Sequence, residues 1–124
     1  MQLTIGIERV LELKVTKEDT ASHLGSGNLD VYATPAMIAA MERCAMDLVK
    51  DFLDFGYTTV GTAINIKHIK ATTVGMPVNA VARLIKIEDN KLSFEVEAYD
   101  ANGMIGSGTH SRYIVNEIEF MNNL

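Results

Sequence analysis

Three side chains in this sequence combine a reactive type with a telling position. They are Glu42 within TPAMIAAMERCAMDLVK, His68 within VGTAINIKHI, and Thr34 at the head of the first segment. A carboxylate in a semi-buried pocket is raised in pKa by desolvation and can serve as base or nucleophile. An imidazole beside it completes an acid/base pair that titrates near neutrality. A hydroxyl at a helix start lies among free N–H groups and partial positive charge, which suit an oxyanion or a bound anion.

Periodicity indicates the elements that would carry these groups. At about 100° per residue, Met37, Met41, Ala45, Leu48 and Phe52 form one apolar stripe. Arg43, Asp47, Lys50, Asp51 and Asp54 gather on the far side, whereas Glu42 falls on the flank of the stripe beside Ile38 and Val49. That position fits a snorkelling side chain as well as a catalytic one. Thr34 should cap the helix, Pro35 should occupy its first position, and Gly56 should close it. Strand alternation along 60–69 puts Val60, Thr62, Ile64, Ile66 and His68 on one face. That apolar face should meet the helix and turn His68 toward the layer of Glu42. A lone histidine on an apolar face is more often structural; two reactive groups converging on one interface shift the balance.

The rest of the chain reads as a scaffold around these segments. Residues 4–15 alternate as a strand, with Ile5, Ile7, Leu11, Leu13 and Val15 on one face. A long connection rich in Ser, Thr, Asp and Gly follows, of a length uncommon unless it lines a site. Four further strands are expected at 57–69, 77–88, 91–100 and 103–117, the last two connections being made by EDNK and DANG. One strand, one long helix and a four-strand meander predict an α+β fold. Its curved antiparallel five-stranded sheet wraps around one long central helix, in a single domain over residues 1–124. Such a sheet has open edges, and pairing two copies would cover them.

Composition narrows the function classes. The net charge of −5 over 124 residues argues against nonspecific nucleic-acid binding. No apolar run is long enough to span a bilayer and no leader pattern opens the chain, so a cytoplasmic location without membrane contact is expected. The single cysteine, Cys44, fits a small buried hydrophobe. No HxH, HExxH or CxxC spacing points to a metal. GMIGSG lacks the strand-then-helix context of a dinucleotide loop. His23 lies in the connection as a solvated side chain. His110 shares a strand face with Gly106, Gly108 and Arg112 without any ligand spacing. Lys67, Lys70, Arg83 and Lys86 form either an anion-binding set or solvated strand edges.

The segments GSGNLDVYATPAMIAAME, TTVGTAINIKHIKAT and GSGTHSRYIV resemble the hotdog-fold thioesterase-like family that includes fluoroacetyl-CoA thioesterase. The resemblance implies a hotdog fold, hydrolysis of an acyl-CoA thioester, and Thr34, Glu42 and His68 as the catalytic set. It implies that Gly61 lies close to the acyl group; if the chain hydrolyses such an ester, Lys67, Lys70 or Arg112 is expected to hold the CoA phosphates. No cofactor is implied beyond CoA as part of the substrate. A homodimer is expected, with a tetramer as the alternative. Two departures stand out. Thr72-Thr73 replaces a Thr-Pro common in relatives, and ASHLGSGNLDVYA offers only Tyr32 where an aromatic lid favours a fluorinated acyl group. A non-catalytic acyl-CoA binding module is the alternative function; a hydratase is disfavoured by the absence of its motif.

Overall fold

In the computed structural model, which describes residues 2–124, one long helix lies in the hollow of a five-stranded sheet. The strands are β1 (Glu8–Lys14), β2 (Tyr57–His68), β3 (Pro77–Glu88), β4 (Lys91–Asp100) and β5 (Gly103–Asn116). The helices are α1 (Ala21–Leu24), α2 (Thr34–Lys50) and α3 (Glu117–Asn122). All strand pairs are antiparallel, in the order β1-β3-β4-β5-β2, so β2 occupies an edge.

The apolar stripe of α2 explains its placement. Met37, Met41, Cys44, Ala45, Leu48 and Val49 are buried. They meet alternate residues of β3 and β4, among them Ala80, Ala82, Leu84, Leu92, Phe94 and Val96. Each large apolar side chain buried there contributes roughly 1.5–3 kcal/mol, which outweighs the weak helix propensity of a single segment. Gly106 on β5 lets the helix approach: a methyl built on it would lie 2.6 Å from Met37 Cε.

Several boundaries differ from the sequence expectation. Strand β1 starts at Glu8 rather than residue 4, because Gly6 has a φ of 99° and turns the chain. Helix α2 stops at Lys50, short of Gly56; Phe52 N–H bonds Val49 and Leu53 N–H bonds Lys50 in a tightening turn. Gly56 does adopt a left-handed φ of 87°, but there it leads into β2. Ala33, not Thr34, is the N-cap of α2, with no side-chain cap bond. The long connection is ordered, with a 3-10 turn at Lys17–Asp19, the short α1, and bridges Thr20–Tyr32 and Val31–Thr73. Helix α3 was not foreseen; Asn116 Oδ1 caps it by accepting from Glu119 N–H.

The most consequential difference lies in β2. Gly61 pairs with Arg112 and Ala63 with Ser111, so one residue, Thr62, is extra. Such a bulge inverts the alternation on either side of it. Val60 and Thr62 therefore do not share a face with His68. Thr59 and Gly61 lie on the side of Arg112 and Ile114, while Ile64, Ile66 and His68 lie opposite His110, Gly108 and Gly106.

Candidate active site

Displacement of the N-cap to Ala33 leaves the Thr34 hydroxyl without a capping duty. Its Oγ1 lies 2.8 Å from Nδ1 of His68, which reaches across from the end of β2. The other ring nitrogen, Nε2, is shielded from solvent and has no hydrogen-bond partner. Burial lowers the pKa of His68, with the backbone of Lys70 opposing the effect. A neutral imidazole with an unmatched nitrogen, held by a hydroxyl, is ready to accept or pass a proton. The pair opens onto a cleft of about 360 Å³, lined also by Ser26, Tyr32, Ile69 and Lys70.

Glu42 lies elsewhere. It follows Thr34 by eight residues on α2, an axial rise of about 12 Å. Its half-buried side chain faces the bulged part of β2, not the end that carries His68. A methyl built on Gly61 would lie 2.9 Å from Glu42 Oε2, 3.4 Å from Arg112 Nη1 and 3.4 Å from His110 Cε1. The missing side chain at Gly61 thus makes the room in which the carboxylate sits. Glu42 borders a second cavity of about 280 Å³ with Gly61, Thr62, Ala63, Ile64 and His110. Within one chain, then, the three expected catalytic residues divide into Thr34 with His68 and Glu42 apart.

The three cations expected at phosphates occupy different surroundings. Lys67 is exposed, on the opposite side of the strand from His68. Lys70 borders the Thr34–His68 cleft and pairs with Asp100 at 3.3 Å, while Thr72 Oγ1 donates to the same carboxylate at 3.0 Å. Arg112 is only 6% exposed. Its Nε donates to Thr59 Oγ1 at 2.8 Å and its Nη2 to the Thr59 carbonyl at 2.9 Å. Its Nη1 lies 3.2 Å from His110 Nε2. Burial pushes the Arg112 pKa down, and the negative charge of Glu42 opposes that. Sequence reading did not connect Arg112 or His110 to Glu42. The signal was present in the shared face of GSGTHSR, but the bulge that brings Gly61 onto that face was hidden.

A five-stranded antiparallel sheet curved around one long helix is the architecture of the hotdog-fold proteins. Among these, the fluoroacetyl-CoA-specific thioesterase family model matches residues 15–118, and the chain belongs to that family. The fluoroacetyl-CoA thioesterase of Streptantibioticus cattleyicolor is 36% identical over 91 residues, spanning 73% of this chain and 66%, just under two thirds, of that relative. A solved structure of the fluoroacetyl-CoA thioesterase FlK superposes with a TM-score of 0.94 at 29% identity, over 99% of this chain and 96% of that one. A thioesterase superfamily member from Thermus thermophilus superposes at 0.90 with 32% identity, over 97% of this chain and 89% of that one. Among the described residues, no helix is long and apolar enough to cross a membrane.

Proposed function

We propose that this protein hydrolyses an acyl-CoA thioester to the free acid and CoA, at sites shared between two copies of a cytoplasmic single-domain chain. The observation that carries the reading is the division of the reactive groups along β2. Thr34–His68 stands at one end of this edge strand and Glu42, above Gly61, stands about 20 Å along it. Ile64, midway, is 38% exposed on an edge without a partner strand. Antiparallel pairing of β2 with its copy, about a twofold axis at the Asn65 pair and with Thr62 the extra residue of the bulge, sets Gly61 opposite the partner's His68. Glu42 of one copy then meets the Thr34–His68 pair of the other, and the edge is covered.

At such a site Glu42 takes a proton from water as its oxygen bonds to the thioester carbonyl carbon. The tetrahedral oxyanion lies near the N-terminus of the partner's α2. Collapse breaks the C–S bond, and the thiolate leaves with a proton relayed through His68, which the Thr34 hydroxyl orients. Lys70, which borders the cleft, suits the phosphates of CoA, whereas Lys67 faces away from it; no further cofactor enters the chemistry. Relatives act on fluoroacetyl-CoA by name, which makes that ester the first to test. The connection over the cleft holds only Tyr32, and it is buried, so an exposed aromatic cover is lacking.

Thiol release from a panel of acyl-CoA esters tests the reading, and turnover abolished by Glu42→Ala supports it. Binding of CoA esters without thiol release would instead make the protein a binding module. Mixing inactive Glu42→Ala and His68→Ala chains tests the sharing. Heterodimers regain one intact site if the site spans two copies and none if it lies within one.

A further inference from the structure

The buried cation beneath Gly61 is held in an unusual way. A guanidinium taken out of water ordinarily acquires a carboxylate partner, because an unpaired buried charge is costly. Among the described residues Arg112 has none at ion-pair distance; its nitrogens go to the two oxygens of Thr59 and to His110. Replacement by an apolar side chain would be the less costly way to fill that space, so the retained charge calls for a use. Its Nη1 and the Glu42 carboxylate flank the same space above Gly61, 3.4 Å and 2.9 Å from a methyl built there.

His110 determines how that charge is aimed. An arginine nitrogen can only donate, so His110 Nε2 must be the acceptor. The carbonyl of Ala63, 2.7 Å from Nδ1, can only accept, so Nδ1 must carry the proton. The ring is therefore neutral and confined to one tautomer, and Phe94 stacks on it with centroids 6.0 Å apart. Protonation would set an Nε2–H against the Arg112 Nη1–H. Burial, foremost, and the Arg112 charge lower the His110 pKa, against the opposing Ala63 bond and Glu42 charge. Both nitrogens are occupied, so His110 is not a proton carrier.

We infer that His110 is a positioning residue, which rests on the reading of Glu42 as the working carboxylate. As a fixed Nδ1–H tautomer anchored on the β2 bulge, it holds the Arg112 guanidinium facing the Glu42 carboxylate across the space at Gly61, beyond ion-pair distance. In this arrangement the bulge has two tasks: it brings Gly61 under Glu42 and presents Ala63 to the ring that orders the cation.

Kinetics and NMR test this separately. His110→Leu removes the acceptor, and kcat should fall about tenfold to a hundredfold, the range commanded by hydrogen bonds to charged groups, with KM little changed. His110→Gln, which keeps an acceptor oxygen, should recover most of the loss. In an Arg112→Met background, His110→Leu should add nothing further, as expected for two members of one network. Equal loss in the Leu and Gln variants, or an undiminished effect in the Arg112→Met background, would overturn the inference. The second readout needs no turnover. The 15N spectrum of the unaltered protein should show His110 as the Nδ1–H tautomer, and the 13C carboxyl signal of Glu42 should shift in His110→Leu. An Nε2–H tautomer, or an unmoved Glu42 signal in a folded variant, refutes the positioning role even where no acyl-CoA is hydrolysed. Absence of turnover with both NMR signatures present would count against the thioesterase reading alone.

Discussion

Gly61→Ala is the substitution whose consequence is most directly set by the geometry. The added methyl would stand 2.9 Å from Glu42 Oε2, closer than side chains tolerate, and 3.4 Å from both Arg112 Nη1 and His110 Cε1. Arg112 and His110 are fastened by hydrogen bonds, whereas Oε2 ends a flexible side chain, so the carboxylate gives way. Restoring ordinary contact requires a retreat of about 0.5 Å, the tolerance within which a catalytic group must be held. Gly61 has no left-handed φ, so alanine brings no backbone strain, and stability should change by less than about 1 kcal/mol. Displacement of a working carboxylate on this scale should lower kcat about tenfold to a hundredfold. Thiol release from the best acyl-CoA substrate, beside a thermal melt, measures both. A variant with unchanged kcat and KM would refute the assignment of Glu42 to this space. A large drop in melting temperature would refute the claim that only the carboxylate moves.

Three further outcomes are expected. Thr34→Val should cost less than about 1 kcal/mol of stability, because Thr34 does not cap α2, yet lower thiol release; Thr34→Ser should retain most activity, and equal activity in both variants would exclude a role for the hydroxyl. The lowered pKa values of His68 and His110 mean that the unfolded chain takes up protons first as pH falls through about 6.5. Stability should therefore decline from about pH 7.5 to 5.5, with a smaller decline in His110→Gln, and a melting temperature flat over that window contradicts the assigned burial. Single-turnover hydrolysis in 18O-water should label only the released acid, as a general base requires; label in the Glu42 peptide would show a mixed anhydride instead.

The parts of the fold legible in the sequence are those governed by sustained periodicity. The stripe through Met37, Met41, Ala45 and Leu48 is the buried face of α2, and the alternation of β3 and β4 puts Ala80, Ala82, Leu92, Phe94 and Val96 into the core. Turns of favourable composition separate the last three strands. Boundaries were poorly legible where two signals competed. Thr34 is a better capping residue than Ala33 by type, but its hydroxyl bonds His68 instead. Gly56 has the conformation of a helix terminator, yet the helix unwinds earlier, at Lys50.

The site was legible residue by residue but not as an arrangement, and the bulge at Thr62 is the reason. Alternation is a rule of counting, and one uncounted residue reverses every assignment beyond it. Counting back from His68 put Thr62 and Val60 toward the helix; the structure puts Gly61 and Thr59 there. The correction replaces two β-branched side chains with a glycine that admits the Glu42 carboxylate and a threonine that receives two bonds from Arg112. It also explains why Glu42 and His68 can share a layer without touching. Gly61 and His68 stand seven positions apart along the strand, roughly 20 Å, far more than a proton can cross in one step. In the proposed dimer, an antiparallel second copy of the same edge closes that distance by symmetry. On the proposed reading, the glutamate on the helix flank serves a partner in another chain, and the bulge hidden from the sequence is what gives that flank its space.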